Sequence, residues 1–173
     1  MSGSTLLFVC TGNICRSAFA AAALRARVGD RADTCVASAG IRAMQGWPMD
    51  PGMARAGAEL GLALGGHEAR QVTGRMIANT AAVVVFGPEH RAWMRQEFPE
   101  HMGRVLAIGQ VARGLGMLPR NRRLPLTQVV EAVTSGAPRI VDTDWIEDPY
   151  GYDDRVKMIC AKPVSYTHLT LPT

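Results

Sequence analysis

Two cysteines, an arginine and a serine fall close together near the start of the chain, in Cys10-Thr11-Gly12-Asn13-Ile14-Cys15-Arg16-Ser17. The apolar run Leu6-Leu7-Phe8-Val9 precedes them and the Ala-rich run Ala18 to Ala26 follows. The first reads as a buried strand and the second as a helix, so the stretch between them is a strand-to-helix turn. Such a turn points several backbone N–H groups at one spot, over the positive end of a helix, and suits a dianion such as phosphate. A cysteine at its start lies in that field and ionises more readily, which makes Cys10 a nucleophile near neutral pH. Arg16 can close the ring and hold two oxygens through its planar fork. Ser17 stands where a helix cap or first-turn residue belongs. The plainer reading is a structural turn in which the cysteine only packs.

Cysteine, five residues, arginine and then serine is the signature of the cysteine-dependent phosphatases. The full string, so near the start, resembles the low-molecular-weight protein tyrosine phosphatases. That resemblance implies hydrolysis of phosphotyrosine in a protein substrate through a phosphocysteine on Cys10. Arg16 and the backbone of Thr11, Gly12, Asn13, Ile14 and Cys15 then hold the phosphate, and inorganic phosphate or another oxyanion would occupy the same loop. The resemblance also gives meaning to Asp148-Pro149-Tyr150, far along the chain. By itself an Asp-Pro usually makes a turn; in the family such a triplet carries the general acid. An aryl oxide leaving phosphorus needs a proton, since phenol has a pKa of about 10, and a carboxylic acid beside it supplies one. Once ionised, that group can activate the water that hydrolyses the phosphocysteine. Asp148 is chosen over its neighbours Glu147 and Asp144, which read as solvated.

The family also implies a supporting shell. Asn13 is a residue type that tolerates the left-handed conformation a tight anion loop needs. By the resemblance, Ser38 and His67 are its hydrogen-bond partners, and Ser17 donates to the thiolate and lowers its pKa. Without the family, His67 is a surface histidine beside Gly66. Tyr150 matches one wall of the substrate site. The opposite wall falls in Ile41 to Trp47, where the aromatic residue of some members is out of register; Ala43 or Met44 takes its place, and Trp47 can reach in. Cys15 has two readings of equal standing. It is a thiol that traps Cys10 as a disulfide under peroxide, as in some relatives, or a small apolar residue packed under the loop.

Three other functions are weighed against phosphotyrosine hydrolysis. Protein-arginine phosphatases share the scaffold but usually carry Thr where Ile14 stands. Thioredoxin-coupled arsenate reductases need two further cysteines in one later segment, whereas Cys35 and Cys160 are far apart. A non-catalytic phosphate-binding module would not need both Cys10 and Asp148. No cofactor is implied, and with no C-x-x-C pair among the four cysteines a metal site is unsupported.

The elements that must position these residues follow from pattern. Thr34 to Ser38 reads as a second strand, Met53 to Leu62 as a helix, and Thr73 as the cap of a short helix. Ala81 to Phe86 is apolar throughout, as expected of a central parallel strand buried on both faces. Glu89 to Phe98 reads as a helix, Arg104 to Ile108 as a fourth strand, and Thr127 to Thr134 as a helix within the otherwise irregular stretch Arg113 to Arg139. Gly29-Asp30-Arg31 is a turn and Arg120-Asn121-Arg122-Arg123 a solvated basic loop. Alternating strands and helices predict a single-domain α/β fold. The expectation is three layers, with a four-stranded parallel sheet flanked by helices and the phosphate-binding loop after strand 1.

The chain has 173 residues, 47% of them apolar, with a formal charge of +4. That suffices for one domain with its own core. The basic balance suits an anionic substrate, but no basic stripe interleaved with aromatics points to nucleic acid. No run reaches membrane-spanning length, and the N-terminus lacks a signal peptide's basic region. A thiolate enzyme wants a reducing compartment, so the cytoplasm is expected. Oligomeric state is not legible. The stretch Val164 to Thr173 resembles the in-frame translation of a sequencing adapter and is read as a non-native tail on a domain spanning residues 1–163. On that reading the last helix starts near Tyr152, is cut short near Pro163, and leaves apolar sheet surface uncovered.

Overall fold

Side chains alternate along β1 (Ser4–Cys10) between two separate cores: Leu6, Phe8 and Cys10 face one, Leu7 and Val9 the other. A strand buried on both faces is what a central parallel position demands. The computed structural model, which describes residues 4–29, 34–119 and 124–169, places β1 there. The sheet has the order β2-β1-β3-β4, all parallel, with β2 at Thr34–Gly40, β3 at Thr80–Val85 and β4 at Val105–Ala107. The chain adds β2 on one side of β1 and then crosses to the other for β3 and β4. The carboxyl end of β1 is thus a switch point, where open α/β sheets bind ligands.

Helices cover both faces and complete the three layers. On the Phe8 side lie α1 (Arg16–Val28), α2 (Pro51–Glu59), α5 (Ile108–Gly116), α6 (Leu126–Ser135) and α7 (Asp154–Leu169). On the Leu7 side, α3 (Gly74–Ala78) supplies Ile77 and α4 (Pro88–Glu97) supplies Met94. Ala18 and Ala20 to Ala23 of α1 are buried and let the helix sit close on the sheet, while Phe19 and Leu24 fill the space beyond them. Each such large side chain contributes about 1.5–3 kcal/mol by leaving water.

Several boundaries differ from the pattern reading. The helix expected over 53–62 is α2, which starts earlier: Pro51 takes its first turn and the Asp50 carboxylate accepts from the N–H groups of Gly52 and Met53. The fourth strand is only Val105–Ala107, because Ile108 already opens α5. That helix was not expected, since Gly109, Gly114 and Gly116 argue against one. Two of these glycines serve packing. A Cβ on Gly109 would overlap the backbone of Asp144, and one on Gly114 would press on Val133. The last helix starts at Asp154 and does not stop at Pro163. Proline there removes one backbone bond, to the carbonyl of Ile159, a residue exposed to water. Except for Gly29, the turn at 29–31 lies outside the described residues, as does the whole basic run Arg120 to Arg123.

The loop after β2 is zipped along the loop after β1. Ile41, Arg42 and Met44 donate their N–H groups to the carbonyls of Cys10, Thr11 and Gly12. Gly40 makes this approach possible, since a Cβ there would collide with the Thr11 carbonyl and lie 3.1 Å from Asn13 N. Neither obstacle is a flexible side-chain end. Gly40→Ala is therefore expected to lower the urea midpoint of unfolding by the equivalent of about 1–3 kcal/mol, the usual cost of forcing bulk into a packed site. Little change would place the strain elsewhere.

Candidate active site

Local geometry around residues 10–17 follows from the end of one strand meeting the start of a helix. Cys10 closes β1, Arg16 opens α1, and Cys15 is the cap position. Asn13 turns the chain with φ 57°, the left-handed conformation its short polar side chain allows. Cys10 is 2% exposed, and its Sγ lies 2.9 Å from Ser17 Oγ. That hydroxyl already accepts from Asn13 Nδ2 at 2.9 Å, and its single proton faces either Cys10 Sγ or the Ala39 carbonyl at 3.3 Å. A thiol can donate to Ser17 and leave that proton on Ala39. An ionised sulfur has no proton, so Ser17 must turn and donate to it.

Asn13 is the hub behind the loop. Its Oδ1 accepts from Arg70 N at 2.9 Å, which together with the bond to Ser17 fixes the orientation of the amide. Its carbonyl accepts from His67 Nε2 at 2.6 Å, so the His67 proton sits on Nε2. Burial, together with Arg25 and Arg70, pushes the His67 pKa down. Ser38 meets this shell by its backbone, accepting from Arg70 Nε at 2.9 Å, while Asn13's amide is taken by Ser17 and Arg70.

Arg16 is 2% exposed and reaches across to two later segments. Nη1 donates to the Ile146 carbonyl at 3.0 Å and Nη2 pairs with Asp148 Oδ2 at 2.9 Å. Ile146 is itself docked on the end of β3 through a bond from its N–H to the Phe86 carbonyl. Asp148 Oδ1 accepts from Tyr150 N, a local turn that presents the other oxygen to Arg16. Arg16 Nε is buried and donates to no group among the described residues. A buried, unpaired N–H on a cation is matched by an anion.

The two loop cysteines are not equivalent. Burial, then Asp50 and the neighbouring Cys10, Asp148 and Cys160 push the Cys15 thiol far above the ordinary range, so it stays protonated. Burial likewise raises Cys160, on α7, to about 12. Cys10 carries the sulfur beside Ser17, and Cys15 packs beneath the loop. Of the residues read as substrate walls, Tyr150 and Trp47 are about half exposed, and Met44 lies over Gly12. Asp144 is not solvated as expected. It is 2% exposed and held by Arg113 through both carboxylate oxygens, at 3.0 and 2.6 Å, which fastens the segment before Asp148 to α5. Glu147 is exposed, as read.

Four residues of this shell escaped the sequence reading. His90, fully buried, accepts from Gly87 N at Nδ1, so its proton is on Nε2, which bonds Thr11 Oγ1 at 3.0 Å, with Glu89 Oε1 3.2 Å from the same nitrogen. The His90–Glu89 contact is thus a close polar contact with a neutral ring. Burial, with Arg16 nearby, pushes the His90 pKa down to about 3, against a smaller opposing pull from Asp148. Asp50 donates its N–H to the Ile14 carbonyl and pairs with Lys157 of α7 at 3.1 Å. Gln71 bridges Ala43 N and the Ile41 carbonyl. One signal could have found the first pair: Gly87-Pro88-Glu89-His90 follows the clearest strand, at the same edge of the sheet as Cys10.

Comparison with known proteins places this geometry. Residues 5–116 match the family model described as low molecular weight phosphotyrosine protein phosphatase. A probable low molecular weight protein-tyrosine-phosphatase EpsP of Ralstonia nicotianae is 30% identical over 141 residues, covering 79% of this chain and 95% of the relative. The tyrosine phosphatase Wzb from Escherichia coli K30, solved in complex with sulphate, has TM-score 0.73 at 21% identity, over 96% of this chain and 94% of its own. The YwlE arginine phosphatase from Geobacillus stearothermophilus has TM-score 0.74 at 23% identity, over 98% and 90%. At those identities the two structures speak for the fold.

The pH dependence of stability follows from His90. Unfolded, it takes a proton near pH 6.5; folded, it stays neutral to about pH 3. The unfolded state therefore binds more protons as the pH falls below 6.5, and stability falls with it. Between pH 6.5 and 5 the loss is about 2 kcal/mol from this group, and His67 adds in the same direction. Urea titrations across that range are expected to show the decline, and His90→Asn to flatten it. An unchanged slope in the variant would mean that another group carries it.

Proposed function

The chain belongs to the low molecular weight phosphotyrosine protein phosphatase family, and on that footing we propose that it hydrolyses phosphotyrosine in proteins through a phosphocysteine on Cys10. In the first step the Cys10 sulfur attacks phosphorus in line, forming S–P as the P–O bond to the aryl group breaks. Asp148 gives its proton to the departing phenolate. In the second step a water attacks phosphorus, its proton passes to Asp148, and the S–P bond breaks to return the sulfur anion and free inorganic phosphate. The loop N–H groups of residues 11 to 16 and the Arg16 fork hold the equatorial oxygens, where the developing charge sits. Ser17 donates to the sulfur anion at each end of the cycle. Tyr150, Met44 and Trp47 flank the mouth as the walls against which an aryl ring would lie.

One observation carries this reading. The Arg16 guanidinium, shielded from water, bridges the cysteine loop and Asp148 and still has a buried N–H with no partner among the described residues. A phosphate oxygen supplies that partner, and Asp148 stands on the adjacent nitrogen, on the side of the leaving group. A relative solved with sulphate supports oxyanion binding in this fold. The arginine phosphatase neighbour keeps a second substrate, phosphoarginine, as the alternative. Ile14, buried and apolar, supports the aryl substrate over it.

Side-by-side turnover of a phosphotyrosine peptide, a phosphoarginine peptide and arsenate by the purified protein tests the choice, with preference for phosphotyrosine expected. Cys10→Ser is expected to abolish turnover. Asp148→Asn is expected to lower kcat on the phosphotyrosine peptide by about 10²-fold or more, the range for a general acid. A Cys10→Ser protein with full activity would overturn the mechanism, and preference for phosphoarginine would overturn the substrate.

A further inference from the structure

We propose that Glu89 is a positioning residue of this site: its carboxylate, lodged in the space left open by Gly87, holds the outer nitrogen of Arg16 so that Nε and Nη2 face the phosphate. The inference rests on the phosphatase reading above. Arg16 has three nitrogens, and they are not used alike. Nη1 donates to the Ile146 carbonyl and lies 3.8 Å from Glu89 Oε1. Nη2 is shared with Asp148, and Nε is unpaired. Nε and Nη2 form the side-on fork that grips two oxygens of one anion. A protonated Asp148 no longer neutralises Nη2, because only its carbonyl oxygen then remains to accept. Nη1 is the nitrogen held by groups with no part in either chemical step.

Glu89 is itself well fixed, although its side chain is half exposed. The Oε1 that faces Arg16 also lies 3.2 Å from His90 Nε2. His90 cannot turn away, since Gly87 N holds Nδ1 and Thr11 lies on Nε2. Gly87 has a second role. Its backbone is extended, φ −142° and ψ 158°, which any residue adopts, and it has no side chain with which to cap α4. What glycine contributes here is room: a Cβ would overlap both oxygens of the Glu89 carboxylate. The sequence Gly87-Pro88-Glu89-His90 therefore encodes one device, an acid folded back over a glycine and tied to a neutral histidine, aimed at the phosphate clamp.

The test uses p-nitrophenyl phosphate turnover together with the inhibition constants of vanadate, which mimics five-coordinate phosphorus, and of inorganic phosphate. Glu89→Gln is expected to lower kcat/KM about tenfold or more, as misplacing a positioned group does. The loss should fall mainly in kcat. Vanadate should weaken by a similar factor and phosphate by less, because the fork matters most in the transition state. Gly87→Ala, with Glu89 intact, should reproduce this by evicting the carboxylate, and the double variant should be no worse than either single one. Melting temperatures should stay at the wild-type value. Unchanged or tighter vanadate binding in Glu89→Gln would overturn the proposal, as would effects of the two changes that multiply. A wild-type protein that neither turns over the aryl phosphate nor binds vanadate would overturn the phosphatase reading, and this inference with it. Normal wild-type behaviour with an unaffected Glu89→Gln would overturn the inference alone.

Discussion

A guanidinium kept from water in the middle of the site is the constraint on which the rest depends. An ion in such a place must be hydrogen-bonded and neutralised, or the desolvation penalty exceeds what the fold can sustain. Arg16 meets that need with a carbonyl, Ile146, and with Asp148, both more than a hundred positions further along the chain. The pairing that neutralises the arginine also ties the Asp148 segment to the first residue of α1, next to the loop that starts at Cys10. Charge balance and the docking of a distant segment are thus met by one contact. The arginine's Nε, also buried, has no hydrogen-bond partner among the described residues.

A second layer of order comes from main-chain stitching. The anion loop is held on its outer side by the loop after β2, from behind by His67 and Arg70 on Asn13, and from below by Asp50 on Ile14. Most of these bonds are donated or accepted by the main chain rather than by charged groups. Preorganised amides lose little in reorienting when charge develops, which is what makes such loops effective on a transferring phosphoryl group. Asp50 and its partner Lys157 extend the support to α7, at the far end of the described chain.

What could be read from the sequence was whatever is local. The strand-turn-helix around Cys10 shows as a switch from an apolar run to an Ala-rich helix, and the four strands show as apolar runs bounded by breakers. Asp148 is legible only beside a known loop, because an Asp-Pro alone is a turn. His90 and Glu89 were passed over: their place after the clearest strand was the one signal, and their meaning lies in contacts with Thr11 and Arg16 that the topology creates. Asp144 was misread for the same reason: its burial depends on Arg113, 31 residues away. Helix α5 was hidden by glycines that serve close packing against Asp144 and Val133. Glycine lowers helix propensity, and here tertiary contact overrides it.

The strand order has a consequence for how the molecule comes into being. β1 precedes the other described strands in the chain yet ends up with neighbours on both edges, and the later one, β3, does not begin until Thr80. During synthesis the nascent β1, with its apolar run Leu6 to Val9, therefore carries open edges until Thr80 and the residues after it have emerged, and unpaired edges of that kind invite association with other chains. The segment bearing Cys10 must wait for partners that come off the ribosome long after it, so protection by chaperones matters most while β1 is unpaired.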